Sequence, residues 1–232
     1  MTHLRIVSLV PSATETLLAW GIRPIAVTRF CEQPGLPLVG GTKDPDIAAI
    51  VALEPDLVVM CDQENRLPDV EALGAHAIAI HAIRITAVEH VGPQMAALAE
   101  AVQALGAAPC GVTTPPAAGP PVRAWIPIWK RPWMTINGDT YGSSLLAHLG
   151  VENVAGSHAD RYPELNLEEA AALRPDLVLA PSEPYPFAER HVAQLQTVAP
   201  VVLVDGQDLF WWGARTAAAS QRLAGVVASA PR

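Results

Sequence analysis

The chain predicts an α/β fold: two Rossmann-like lobes with parallel sheets, joined by one long backbone helix. Three observations carry that expectation. Residues 46–59 recur as residues 166–179, an offset of 120, and Leu53-Glu54-Pro55-Asp56-Leu57-Val58 returns as Leu173-Arg174-Pro175-Asp176-Leu177-Val178. Each copy reads as a short helix, a Pro-Asp turn and a buried strand. A second pair, Thr16-Leu17-Leu18-Ala19-Trp20-Gly21-Ile22 and Ser144-Leu145-Leu146-Ala147-His148-Leu149-Gly150-Val151, repeats with one residue inserted. A period this long exceeds the roughly 20–50 residues of a solenoid unit and implies two similar lobes. Strands alternate with helices on either side of the repeats, which points to parallel pairing. Finally, Val88, Val91, Met95, Leu98, Val102 and Leu105 follow three- and four-residue spacing, which predicts one helix over residues 86–105.

In chain order, residues 5–10 form a branched, apolar strand ended by Pro11. Ser12 with Glu15 three positions on reads as a capping box, opening a helix that runs to Gly21. A strand at 25–28, a Pro- and Gly-containing loop to Gly41, a helix at 45–53, a strand at 57–60, a helix at 67–73 and a strand at 77–80 complete an N-terminal lobe, residues 1–85. The helix and a Pro/Gly-rich loop occupy 86–121. The C-terminal lobe, 122–232, holds strands at 122–126, 177–179 and 201–204 and helices at 142–149, 167–173, 187–196 and 214–227.

Composition narrows the function classes. Hydrophobic residues make up 50% of the 232 and charged residues 16%, which excludes a disordered chain. No apolar run approaches the roughly 18 residues of a membrane helix, so no membrane insertion is expected. The net charge of −8, without a basic run, argues against nucleic acid and anionic membranes as partners. Cys31, Cys61 and Cys110 are odd in number and widely spaced, as reduced thiols are. The first eleven residues lack the pattern of a signal peptide, so the chain as written is expected in the cytoplasm, and outside it if the true start lies upstream. A monomer is expected.

Several words of the chain, in order and spacing, resemble the helical-backbone (class III) substrate-binding proteins of the cobalamin and iron-siderophore ABC transporters, closest to the cobalamin-binding branch. They are Val7-Ser8-Leu9-Val10-Pro11-Ser12-Ala13-Thr14-Glu15, Val39-Gly40-Gly41-Thr42-Lys43-Asp44-Pro45-Asp46, and Ile128-Trp129-Lys130-Arg131-Pro132-Trp133-Met134 with Gly138-Asp139-Thr140-Tyr141. The resemblance covers nearly the whole chain. It implies a small-molecule ligand, cobalamin or another corrinoid, held in a cleft between two lobes without chemistry. It also implies an ABC permease as partner, docked through an acidic residue on each lobe. Glu64 is the candidate on the first; the segment Trp211-Trp212-Gly213-Ala214-Arg215 on the second carries no acid.

Candidate ligand-binding residues follow from position. Five of the six tryptophans lie in the second lobe, and aromatic side chains on loops beyond strand ends make flat walls for a planar ligand. Trp129, Trp133 and Trp212 are expected there, with Trp125 and Trp211 as core fillers. The loop after strand 177–179 offers Glu183, Tyr185 and Phe187 at the C-terminal end of a parallel sheet, where crevices form. Its counterpart in the first lobe offers Glu64, Asn65 and Arg66. Arg29 and Phe30 follow strand 25–28. The resemblance adds Pro11, Ser12, Asp139 and Tyr141. No metal site is expected, since the histidines show no HExxH and no i, i+4 pair; Cys31 and His191 are the weak candidates. GxSxG, GxxxxGK and GxGxxG are absent from the sequence, so an enzyme is not expected. The alternatives are a binding protein for a metal ion, haem or siderophore, and, further off, a metal-assisted enzyme.

Overall fold

The computed structural model describes residues 4–113, 117 and 120–230. Residues 114–116 and 118–119 of the expected Pro/Gly-rich connection, and the start of the chain through His3, lie outside the described residues. Two compact units divide the chain. The first holds residues up to Arg84, His90–Cys110 and Trp212–Ala214; the second holds Ile85–Glu89, Gly111–Trp211 and Arg215 onward.

In the first unit, β1 (Ile6–Ser8), β2 (Ala26–Val27), β3 (Leu57–Cys61) and β4 (Ala79–Ile83) form one parallel sheet in the order β2-β1-β3-β4. Helices α1 (Pro11–Ala19), α2 (Ile47–Ala52), α3 (Leu67–Gly74) and α4 (Val91–Ala101) belong to it. In the second, β5 (Val122–Trp125), β8 (Val151–Asn153), β9 (Leu177–Pro181) and β10 (Val201–Val204) form a parallel sheet in the order β10-β9-β5-β8. Matching β1 with β5 and β3 with β9 makes the two orders the same. A separate antiparallel pair, β6 (Pro127–Trp129) and β7 (Met134–Thr135), adds a hairpin to the second unit. Its helices are α5 (Tyr141–His148), α6 (Leu167–Ala172), α7 (Glu189–Leu195), α8 (Gly206–Phe210) and α9 (Thr216–Ala228).

The repeated sequence is one device built twice. Asp46 caps α2 by accepting from the Ala49 N–H, and Asn166 caps α6 by accepting from the Glu168 and Glu169 N–H groups. Both helices end on a residue with positive φ, Glu54 at 44° and Arg174 at 53°. The Pro-Asp turn then delivers a carboxylate to the neighbouring strand: Arg5 donates its backbone N–H to Asp56 at 2.7 Å, and Arg123 donates its own to Asp176 at 2.8 Å. Each arginine carbonyl accepts the aspartate N–H in return, at 2.8 and 2.7 Å. The guanidinium groups close the turn on helix-end carbonyls, Arg5 on Leu53 and Glu54, Arg123 on Arg174. All five residues of β3 and all five of β9 are buried. Around them pack Val7, Leu9, Ile50 and Leu73 in the first unit, and Trp125, Ala170, Phe187 and Leu195 in the second.

Three expectations are corrected. The Ser12–Glu15 capping box does not form, because α1 begins one residue earlier with Pro11 in its first turn and Val10 at the N-cap. Proline's fixed φ and missing N–H suit that position. The helix expected over 86–105 is shorter, a 3-10 turn at Val88–His90 followed by the 11-residue α4. Val88, Val91, Met95, Leu98 and Val102 are buried, as their spacing demands. Gln103, at φ 55°, turns the chain out of the helix, and Leu105 is 94% exposed. The fourth strand runs Ala79–Ile83 and not 77–80, since Ala77 sits at φ 57° and closes the preceding turn.

Two substitutions separate the turn from the core. Trp125→Ala removes a fully buried ring and is expected to cost about 3–5 kcal/mol. Asp176→Ala, which leaves the Arg123 N–H near solvent without its carboxylate, is expected to cost about 0.5–1.5 kcal/mol. Urea denaturation checks both; an Asp176→Ala midpoint equal to wild type would show that the turn contributes nothing.

Candidate ligand-binding site

The loop that leaves β9 at Pro181 is clamped by the segment after β10. Ser182 donates its backbone N–H to the Val204 carbonyl, and its Oγ accepts from the Gly206 N–H at 2.9 Å. Glycine is required at 206: a Cβ there would stand 2.5 Å from the Glu183 nitrogen and 2.8 Å from its carbonyl oxygen. Glu183 in turn receives the indole N–H of Trp211 on Oε1 at 2.6 Å, and the Arg215 guanidinium lies 5.1 Å from the Trp211 ring centroid. Arg215 also donates to Asp208 and Gln207, while Arg222 donates from two nitrogens to the same Asp208 at 2.6 Å each. Asp208 is buried, so this shared carboxylate anchors the frame that holds the loop.

On that frame stands a continuous group of rings. Trp125, in the core, meets Trp133 at 6.0 Å between centroids; Trp133 lies parallel to Phe187, at 5° and 6.0 Å. Tyr185 tilts onto Phe187 at 4.7 Å, and Trp129 meets Tyr185 edge-on at 5.7 Å. Trp129 is 44% exposed, so the series runs from the interior of the unit to solvent. The Lys130 ammonium lies 5.5 Å from the Trp133 ring. His191 packs at 5.4 Å from Tyr185 and 5.5 Å from Phe187. Its Nδ1 accepts the Ala188 N–H at 3.1 Å, and Nε2 lies 3.4 Å from the Tyr185 hydroxyl. Burial pushes the imidazole below its ordinary pKa, with Arg190 and Lys130 acting the same way. The two strands β6 and β7 and the loop after β9 thus gather an aromatic cluster, tilted ring to ring apart from the parallel Trp133–Phe187 pair, with Trp129 at its exposed end.

In the first unit the candidates on loops after strands are tied into pairs. Arg29 forms a bidentate pair with Asp44, whose carboxyl it holds below the usual range, and its guanidinium lies 4.8 Å from the exposed Phe30 ring. Asn65 is buried and structural, accepting from the Cys61 N–H and donating to the Thr42 carbonyl. Lys43 donates to the Gln63 carbonyl and Arg66 pairs with Asp69, while Glu64 is half-buried beside them.

Other candidates are buried or paired within their own unit. Pro11 and Ser12 are buried in the first turn of α1, and Trp212 is buried in the first unit. Gly213, at φ 103°, is held against Thr16, whose Oγ1 accepts the Ala214 N–H at 3.0 Å. Tyr141 is buried with its hydroxyl 3.3 Å from Thr216 Oγ1, and burial pushes its phenol up to about 12. Asp139 is exposed and paired with Arg161, on the wall of a cavity of about 410 Å³ that includes none of the rings. Cys31 is buried, with the hydroxyls of Thr14 and Thr28 each 3.2 Å from its sulfur, and burial raises its pKa. Among the described residues, no three His, Cys, Asp or Glu are grouped to hold a metal ion.

Trp211, expected as a core filler, is instead half-buried and donates to Glu183, and the Asp208–Arg215–Arg222 cluster was missed. The arginines are seven residues apart, two helical turns, a spacing that places both on one face; nothing in the sequence says that Asp208 lies opposite them.

No protein-family profile matches the chain. Among curated proteins, the vitamin B12-binding protein of Vibrio parahaemolyticus is 23% identical over 203 residues, 81% of this chain and 71% of that one. That of Salmonella typhimurium is 24% identical over 189 residues, 75% of this chain and 71% of that one. Among solved structures, the periplasmic vitamin B12 binding protein BtuF of Vibrio cholerae superposes with a TM-score of 0.78 at 17% identity, covering 97% and 96% of the two chains. The periplasmic heme-binding protein BhuT, in complex with two hemes, superposes with 0.81 at 20% identity, covering 97% of each. The chain therefore has the two-lobed α/β fold of the helical-backbone substrate-binding proteins, and the vitamin B12-binding proteins are its relatives in sequence.

Proposed function

We propose that the protein is a non-enzymatic binding protein that captures a corrinoid or a related metal chelate on the aromatic surface of its second unit. The observation that carries this reading is the run of rings from Trp133 and Phe187 through Tyr185 to the exposed Trp129. A macrocycle laid on such a surface buries apolar area on its face, while Lys130 and the Tyr185 hydroxyl lie at the edge for its polar substituents. Curated relatives named as vitamin B12-binding proteins support the corrinoid. Solved relatives of the same fold named as heme-binding support a porphyrin as the second reading, since both ligands present a flat face. Delivery to an ABC permease, outside the cytoplasm, goes with the proposal; neighbours named as periplasmic support it. The polar groups near the rings are engaged in holding the loop, Glu183 on Trp211 and His191 on Ala188, which fits binding better than catalysis.

Titration with cyanocobalamin, hemin and a ferric siderophore, followed by tryptophan fluorescence, tests the reading. A saturable quench by one of them is expected; flat titrations with all three would sink it.

Trp129→Ala is the clean probe of the surface, because this ring is at the solvent end of the series. Losing about 100 Å² of contact at about 25 cal/mol per Å² weakens binding by ten- to a hundredfold. Its melting temperature should stay near that of wild type. Trp133→Ala should lower both affinity and melting temperature, since Trp133 is packed on Trp125 and Phe187.

A further inference from the structure

Helix α7 begins after Ala188, an extended N-cap residue with φ −156° and no side-chain acceptor. The N-cap N–H needs a partner, and three residues on a capping box normally supplies Glu or Gln. Here the residue at that position is His191, and its Nδ1 accepts the Ala188 N–H at 3.1 Å. A ring nitrogen that accepts carries no proton. In the neutral ring the hydrogen is therefore on Nε2, which lies 3.4 Å from the Tyr185 oxygen. The imidazole donates and the phenol oxygen accepts. The hydrogen of the Tyr185 hydroxyl is left for another acceptor.

We infer that His191 is a positioning residue of the ligand site: by capping α7 through Nδ1 it holds the Tyr185–Phe187 loop and sets Tyr185 as a hydrogen-bond donor to the ligand. The preferred ligand then carries an acceptor at its edge, a carboxylate or an amide carbonyl. This rests on the binding function proposed above, of which it names the polar contact. The charged and titratable groups facing His191 are Arg190 on its own helix, Lys130 from the β6–β7 hairpin and Tyr185 from the loop; both cations favour the neutral ring. Protonating Nδ1 sets two N–H groups against each other and removes the cap. Because the folded-state pKa lies below the ordinary histidine value, the cap is intact at and above that ordinary value and is lost only as pH falls through the lower, folded-state pKa.

Two measurements test the inference. Long-range proton–nitrogen NMR on histidine-labelled protein at neutral pH needs no ligand: His191 should show a bare Nδ1 and a proton on Nε2, and the opposite tautomer overturns the proposal. Titrations with cyanocobalamin and hemin across pH 5 to 8 supply the second. Tyr185→Phe and His191→Leu should weaken binding by about fivefold or more, the size of one neutral hydrogen bond, with Tyr185→Phe keeping the melting temperature. His191→Gln, whose amide both accepts and donates, should bind close to wild type and lose the decline in affinity at low pH. Should wild type bind while all three variants match it at every pH, this inference alone falls. Should wild type bind neither probe, the proposed function falls and takes the donor role of Tyr185 with it.

Discussion

At the entry of the central strand of each lobe, an arginine donates its backbone N–H to an aspartate carboxylate and its carbonyl accepts that aspartate's N–H in return, across the strand pair. Asp56 and Arg5 do this between β3 and β1; Asp176 and Arg123 do it between β9 and β5. Parallel strands with largely apolar sequences have little in their side chains to stop a slip, and a slip of one residue would turn every side chain to the opposite face. The reciprocal pair pins the register at its first step, setting Ile6 opposite Leu57 and Ala124 opposite Leu177. Everything beyond the C-terminal ends of these strands, including the loops with the candidate residues, inherits its height from that pairing.

The loop after β9 needs more than register, because it carries rings that must share a surface. Three constraints act on it: no side chain at Gly206, the Trp211 indole N–H on Glu183, and the helix-capping His191 at its far end. Asp208 supports the second by holding Arg215 and Arg222 on a buried carboxylate. Such contacts restrict the conformations open to the loop.

The two lobes share a frame and differ in their loops. After β3 the chain turns through Asn65, whose side chain closes the loop on Cys61 and Thr42, and the charged residues around it pair among themselves. After β9 the equivalent loop turns through Tyr185 and Phe187 into an aromatic group. A duplicated scaffold has kept its strand order and turn chemistry while the surface at the strand ends took on different character, as loops on a fixed frame do.

Local chemistry was legible from the sequence by itself. The repeat around Pro55-Asp56 and Pro175-Asp176, the apolar strands and the three- and four-residue spacing of Val91, Met95 and Leu98 each depend on neighbours within a few positions, so the α/β class, the parallel sheets and the doubled lobe could be read directly. The start of α1 at Pro11 and the end of α4 at Ala101 were missed: Pro11, with its fixed φ and missing N–H, occupies the first turn, and Gln103 at φ 55° takes the chain out of the helix. Which tryptophan faces solvent was beyond the sequence: adjacent Trp211 and Trp212 have the same local context, yet one reaches Glu183 and the other is buried in a different unit. The same holds for Tyr141, buried against Thr216, and for Asp208, which meets arginines 7 and 14 residues away. Such contacts join residues that only the folded chain brings together, and the tertiary structure alone decided them.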